Sequence, residues 1–205
     1  MPIVGQAIIV SSSNVYVAND RDTAIALAVS GAPGNKATVI PRYTLWPQLI
    51  KYSNDNGTFP TINPRYIWDS TTSDGQSRGF AARSGGIGSA NPLTINVNLC
   101  VFSDNAHVAR VDVYNFSPPT PVLVQTLTPP VLLDGNMDPI VGLSETPPYN
   151  WQGIRVYKNS SSNPLPPGAI YVVVVSFTAV NYILNPLGSE NPAGLSFVAN
   201  VDFIS

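Results

Sequence analysis

Apolar and polar residues alternate with a period of two along much of the chain. The clearest case is 93–102, LTINVNLCVF, in which every odd-numbered residue is apolar. Residues 106–116, AHVARVDVYNF, follow after the short turn-like connection SDN and alternate around Val111 and Val113. A period of two is typical of a β-strand with one face on a core. We therefore predict that the two stretches are strands joined as an antiparallel hairpin.

Similar strand patterns occur on both sides of this pair. They are 3–10, 14–18, 23–29 and 37–45 before it, and 121–127, 153–157, 169–177 and 195–204 after it. Proline-rich segments separate the later patterns, and proline ends sheet pairing because it has no backbone donor. Many short strands between such turns are typical of an antiparallel β-sandwich. We predict an all-β, jelly-roll-like sandwich formed by residues 1–205 as one domain, with its most regular strand array at 93–205.

The chain between the early and late strands has no clear period. Forty residues without strands, 53–92, are unusual inside a compact domain, so we predict a long irregular loop segment. It is either a functional excursion or a segment ordered by a partner. Its glycine-rich part, 79–91, lacks the third glycine and the βαβ setting of a phosphate-binding loop. Just before the segment, 47–52 is predicted to form one helical turn beginning at Pro47.

The most apolar stretch is 169–184, AIYVVVVSFTAVNYIL, which contains no charged residue. A helix of this length would span only about 24 Å, short of a ~30 Å hydrocarbon layer. Its Val and Ile content and the prolines on either side predict a strand and no membrane span. Because 170–175 does not alternate, both of its faces are expected to be covered. Either 53–92 or another copy of the chain covers the outer face, and we favour another copy.

Two sets of small or β-branched side chains are candidates for an assembly interface. Alanine favours helix in 23–29, TAIALAV, but the strict alternation predicts a strand with an all-alanine face that a neighbouring subunit could approach closely. We favour an ordinary edge strand over such a contact for this stretch. The candidate interface residues are Ile170, Val172, Val174, Ala24, Ala26 and Ala28.

Charged residues make up only 11% of the chain, less than half the usual ~25%. Only three of them are lysines and two are glutamates. Long charged side chains normally keep monomers apart. Their scarcity indicates either a surface rich in Ser, Thr and Asn or a surface covered by other copies. The net charge of −2 and the pI near 5.1 argue against nucleic acid as a partner, because phosphate contacts need a basic surface.

The first residues, MPIVGQAIIVSSS, have no basic region and no long apolar core, so no Sec signal peptide is predicted. We therefore expect synthesis in a cytosol; the final location is left open and includes a particle or spore exterior. Cys100 is the only cysteine. It is either a small apolar filler in a strand or half of an intermolecular disulfide.

Residues suited to catalysis are few. The single histidine, His107, lies beside the proposed hairpin turn and is interpreted as an exposed or hydrogen-bonded imidazole. No nucleophile elbow and no zinc-binding helix motif is present. Asn/Asp-rich turns at 54–57 and 134–138 carry oxygen ligands of the kind calcium prefers, but neither has the spacing of an EF-hand loop. We predict no catalytic, metal or cofactor residues, no cofactor and no enzymatic activity.

Aromatic residues in or beside the loops are candidates for ligand or interface contacts. Rings next to Asn and Asp can grip a sugar by stacking and hydrogen bonding, and protein interfaces also favour them. Alternatively, these rings close the ends of the sandwich. The candidates are Trp46, Tyr66, Trp68, Tyr149 and Trp151.

These features predict a non-enzymatic structural protein that self-assembles into a larger array, shell or fibre, with itself as partner. Low charge, scarce lysine and proline-rich β patterns support this class. Virion and spore-surface proteins are examples of it, by analogy at the level of fold. The alternative is a carbohydrate-binding, lectin-like β-sandwich module whose partner is a glycan.

Overall fold

The structure is a computed structural model that describes residues 2–49, 63–134, 153–181 and 192–205. The described residues form 13 strands and one helix, α1 (Arg21–Ser30). The strands in chain order are β1 (Ile3–Val10), β2 (Tyr16–Ala18), β3 (Thr38–Ile40), β4 (Tyr66–Trp68), β5 (Ser77–Arg83), β6 (Ile87–Gly88), β7 (Thr94–Asp104), β8 (Ala106–Asn115), β9 (Val122–Thr126), β10 (Leu132–Asp134), β11 (Arg155–Ser160), β12 (Ile170–Val180) and β13 (Gly194–Ile204).

The strands form two sheets that pack face to face. Every strand pairing among the described residues is antiparallel. Among the described residues, the six-strand sheet has the order β11-β7-β13-β4-β3, with β1 also on β13. The seven-strand sheet has the order β10-β8-β12-β5-β2, with β6 also on β12 and β9 also on β8. This architecture confirms the predicted all-β antiparallel sandwich.

The main core lies between the two sheets. The odd-numbered residues of β7 from Ile95 to Val101 are no more than 1% exposed, as their alternation predicts. Phe177 of β12 and Phe197 of β13 meet across the core with ring centroids 4.6 Å apart. Each such side chain contributes roughly 1.5–3 kcal/mol on burial, so this layer supplies most of the stability.

The predicted hairpin of β7 and β8 is wrong. β7 pairs with β13 and β11, whereas β8 pairs with β12, β9 and β10. The chain instead crosses from one sheet to the other at Asn105. Alternation shows that each strand has one buried face. Two strands produce the same pattern whether they are neighbours in one sheet or lie in opposite sheets across the core. At the end of β7 the alternation of buried and half-buried residues stops, and residues 101–104 are all buried where the chain passes between the sheets.

The strand predicted at 23–29 is also wrong, because these residues belong to α1. Asp20 caps the helix, with its carboxylate accepting from the Thr23 backbone N–H and hydroxyl at 2.8 Å each. Gly31 ends it at φ 68°, and its N–H donates to the Leu27 carbonyl. The caps and the high helix propensity of alanine outweigh the alternating pattern.

Helix α1 packs on the outer face of the seven-strand sheet and corrects the candidate assembly interface. Val172 and Val174 of β12 are 4% and 0% exposed, since Ala24 and Ala28 lie against them. These four residues are therefore buried inside one chain and not between copies. Of the other two candidates, Ala26 faces solvent and Ile170 is 48% exposed. The outer face of 170–175 is thus covered mainly by a helix of the same chain.

The predicted irregular segment at 53–92 is corrected as well, because its described part, 63–92, contains β4, β5 and β6. β5 lies between β12 and β2 inside the seven-strand sheet. Its sequence, SRGFAAR, does not alternate because residues 79–81 are buried on both faces, by the core and by α1. Residues 47–49 are not helical, and the rest of the predicted turn lies outside the described residues.

The apolar stretch opening at 169 forms β12 over its described part, as predicted. No helix in the described ranges has the length and apolar character needed to cross a membrane.

Candidate functional site

The three candidate aromatic residues that the structure describes are buried. Trp46, Tyr66 and Trp68 are 4%, 7% and 0% exposed. Trp46 stacks with Tyr66 and Phe102 on the outer face of the six-strand sheet, with centroids 5.3 Å from each. Trp68 lies in the main core and donates from Nε1 to the Gln76 side chain at 2.6 Å. These rings pack the fold and are not available to a ligand.

Tyr149 and Trp151, the other two aromatic candidates, lie outside the described residues. Most of the calcium candidates at 54–57 and 134–138 do so too. The described member, Asp134, accepts a 2.8 Å ion pair from Arg155. In the part of the chain that the structure describes, no three His, Cys, Asp or Glu side chains are grouped closely enough to hold a metal ion.

His107 is not beside a hairpin turn but faces the interior at the β7–β8 crossing. It is 0% exposed, with Nδ1 2.7 Å from the Ser103 hydroxyl and Nε2 3.0 Å from the Tyr157 hydroxyl. The imidazole therefore links the two sheets. Burial lowers the pKa of His107 to about 4, and nearby Asp134 only partly offsets this. The imidazole of His107 has no access to solvent, and both of its nitrogens have partners inside the chain. Its position therefore indicates a structural role.

Asp104 lies at the same crossing but contacts the outer layer. Its carboxylate accepts from Trp46 Nε1 at 3.0 Å and from the Asn105 side chain at 2.6 Å. Burial raises the pKa of Asp104 to about 7, against the opposing effect of the Trp46 hydrogen bond. Half-buried Cys100 packs against the cluster that contains Trp46, and burial raises the pKa of its thiol. The hydrogen bond between Asp104 and Trp46 thus fixes the loop before residue 49 against the six-strand sheet.

One cleft of about 390 Å³ lies at the N-terminus of α1. Its acidic residues are already engaged within the chain, Asp20 by Thr23 and Asp69 by Arg78. The cleft therefore offers no free carboxylate to a ligand.

The most distinctive surface is one side of the sandwich, which we call the lateral edge: β9, residues 127–131, β10 and residues 154–160. β9 and β10 lie end to end along the same edge of β8. β11 is the neighbouring edge of the six-strand sheet. Thr128 and Ser160 exchange two backbone hydrogen bonds, of 2.9 and 3.0 Å, which join the two sheets at this side.

Large apolar side chains are concentrated on the lateral edge. Within the described ranges, no strand pairs with β9 or β10 on the side away from β8. Natural sheets usually protect such edges with charge, bulges or a covering segment. Here seven large apolar side chains are between 39% and 64% exposed: Val122, Leu123, Val124, Val131, Leu133, Ile154 and Val156.

The sequence pattern does not distinguish the lateral edge from a buried strand. The run 122–124 is as apolar as the run 172–175, yet the first is exposed and the second is buried. Consecutive apolar residues indicate that both faces of a strand avoid water, and the tertiary structure alone shows whether the chain itself provides the cover.

No protein-family model and no curated protein sequence matches the chain. Several solved structures share a strand-rich architecture with it. The K1 cleaved adhesin domain of Lys-gingipain from Porphyromonas gingivalis W83 is 10% identical, with 98% of each chain covered and a TM-score of 0.39. A chain of infectious bursal disease virus, Gx strain, is 12% identical, with 98% of this chain and 55% of that chain covered and a TM-score of 0.32. Likeness at this level carries no inference about function.

Proposed function

We propose that this chain is a non-enzymatic structural protein that self-assembles through the lateral edge into an array, shell or fibre of the virion or spore-surface type. The observation that carries the proposal is the concentration of exposed large apolar side chains on edge strands whose outer sides pair with no other described strand. Exposed apolar residues on monomers are usually scattered, whereas contiguous apolar patches and open edges mark association sites. The low charge of the chain, 11%, also leaves few groups to oppose association.

A second copy of the chain is the occupant that this edge fits best. Strand direction alternates strictly from β1 through β13 and β7 to β11. A copy placed head to tail, with its β1 beside β11, therefore continues the antiparallel sheet. β1 contains no charged residue, and its Ile3 and Val4 are 56% and 47% exposed.

Pairing β11 with another β11 is less favourable than this head-to-tail contact. It would bring Arg155 and Lys158 of both copies close together, and like charges across neighbouring strands are destabilising. A head-to-tail contact uses two different surfaces of each copy. It therefore produces closed rings or open filaments and arrays.

Positive charge on the lateral edge is expected to weaken assembly. In the double variant Leu123→Lys/Val156→Lys, two apolar side chains of the edge become cations. Because each lysine would have to be desolvated at the contact, we expect association to require at least a roughly tenfold higher protein concentration. Sedimentation velocity over a concentration series, with negative-stain microscopy of the assemblies, measures this.

Leu45→Lys is the matched control, because Leu45 is also a large apolar side chain, 62% exposed, but does not belong to the lateral edge. It should assemble like the unchanged protein. A chain that sediments as a 21.8 kDa monomer at every concentration would overturn the proposal. Equal loss of assembly in Leu45→Lys would show that the lateral edge is not the contact.

A further inference from the structure

Part of the outer face of the six-strand sheet carries a group of four amide side chains and one carboxylate. The register pairs Asn98 with Asn200 and Asn96 with Asp202 between β7 and β13, and β1 places Gln6 opposite Asp202. Their neighbours along β7 and β13 point into the core, so alternation directs these five side chains outward. We call Gln6, Asn96, Asn98, Asn200 and Asp202 the amide platform.

Among the described residues, the asparagines of the platform have no side-chain hydrogen-bond partners. Gln6 Nε2 donates to Asp202 Oδ1 at 2.6 Å. By contrast, the side chains of Asn96, Asn98 and Asn200 make no hydrogen bond to any described residue, although each is half-buried. A side-chain amide has two donor hydrogens and a carbonyl oxygen that accepts. Three adjacent amides therefore present donors and acceptors together on one surface.

The surroundings of the platform define what could bind there. At one end, Ile8 and Cys100 pack against the cluster of Trp46 and Leu49, which borders the platform. At the side, β11 places Lys158 next to Asn98. Lys158 and Asp202 carry opposite charges, so neither an anionic nor a cationic ligand is favoured overall. An apolar ligand would leave the amides without partners, which is costly when they are half-buried.

We propose that the amide platform binds a neutral glycan, with the side chains of Asn96, Asn98 and Asn200 bonding to sugar hydroxyls. Hydroxyl groups both donate and accept, as amides do, and they carry no charge. This binding does not depend on the proposed self-assembly, because β1 and β11 would meet through their backbone edges, which leaves the sheet face that carries the platform open. If copies do assemble, many platforms on one particle would strengthen a weak single contact through avidity.

The test uses soluble dextran, mannan and xyloglucan as probes. In native gels containing each polysaccharide, the full chain should be retarded by at least one of them. The double variant Asn98→Ala/Asn200→Ala loses two amides and should bind about tenfold more weakly. Asn35→Ala removes an exposed asparagine far from the platform and should be retarded like the unchanged protein. In ¹⁵N spectra, the side-chain amide signals of Asn96, Asn98 and Asn200 should shift on addition of the same polysaccharide.

Two results would overturn the glycan proposal: retardation by none of the three polysaccharides, or equal retardation of the double variant. A third would do so as well, namely a change in sedimentation of the double variant without polysaccharide, which would identify the platform as a contact between copies. Sedimentation of the lateral-edge variants tests self-assembly separately, so failure of one proposal leaves the other distinguishable.

Discussion

Replacing Gly79 with alanine is expected to lower the free energy of unfolding by about 3 kcal/mol, at the upper end of the cost of overpacking. Gly79 lies in β5 directly beneath the start of α1. A Cβ atom there would overlap the backbone carbonyl of Asp20 and the backbone nitrogen of Arg21. Backbone atoms cannot rotate away as a flexible side chain does. The helix would have to move as a whole.

Movement of α1 would uncover Val172 and Val174, which it buries on the outer face of the seven-strand sheet. For a chain of this length, the loss corresponds to a fall in Tm of about 6–12 °C. Urea denaturation followed by circular dichroism measures the free energy, and a thermal scan measures Tm.

Gly85→Ala is the matched control for this substitution. No atom lies within 4 Å of the position that its Cβ would take. We therefore expect a change within about 0.5 kcal/mol. An unchanged unfolding midpoint in Gly79→Ala, or an equal loss in Gly85→Ala, would show that the contact between β5 and α1 is not as close as the structure indicates.

The second large effect concerns pH, because His107 and Asp104 act in opposite directions. The pKa of His107 falls from 6.5 to about 4 on folding, so the unfolded chain binds more protons in this range and stability falls as pH falls. The pKa of Asp104 rises from 3.8 to about 7, so the folded chain binds the proton more tightly and stability falls as pH rises. Between about pH 4 and pH 6.5 both groups change the free energy of unfolding, and their opposite effects nearly cancel.

Asp104→Asn removes the effect of Asp104, which lowers the free energy of unfolding as pH rises. Between pH 4 and pH 6.5, the contribution of His107 then acts alone, so the free energy of unfolding should rise with pH by roughly 1.4 kcal/mol per unit. Above pH 7 the variant should be more stable than the unchanged protein by at most about 4 kcal/mol, because no buried carboxylate has to be charged. The amide oxygen still accepts from Trp46, whereas the amide nitrogen replaces the oxygen that accepts from the Asn105 side chain, so that bond is lost. Urea unfolding at a series of pH values from 4 to 8 measures both effects.

His107→Gln is the reciprocal variant. Loss of the imidazole leaves Asp104 as the dominant group, so stability should fall as pH rises over the same range. Its lower overall stability does not matter, since the slope with pH is the measured quantity. Parallel pH profiles for Asp104→Asn, His107→Gln and the unchanged protein would contradict the assignment of both groups.

Local pattern was sufficient for most of the strands and for the fold class. Alternation in 93–102 and in 195–204 reports which side chains avoid water, and that property belongs to each strand separately. Asp20 and Gly31, which cap α1, are also local features of the sequence, but the strand prediction for 23–29 rested on its alternation and did not use them. The sequence therefore contains local features that favour the helix α1.

Contacts between distant segments decided the rest. β5 has no period because α1 covers one of its faces and the core the other, and neither is visible locally. Whether β8 lies beside β7 or across the core from it depends on burial of the whole chain. The amide platform exists only because the register sets Asn98 of β7 beside Asn200 of β13, about 100 residues apart. Sequence pattern determines which faces of a strand are buried, whereas the sum of long-range packing determines what buries them and what remains exposed.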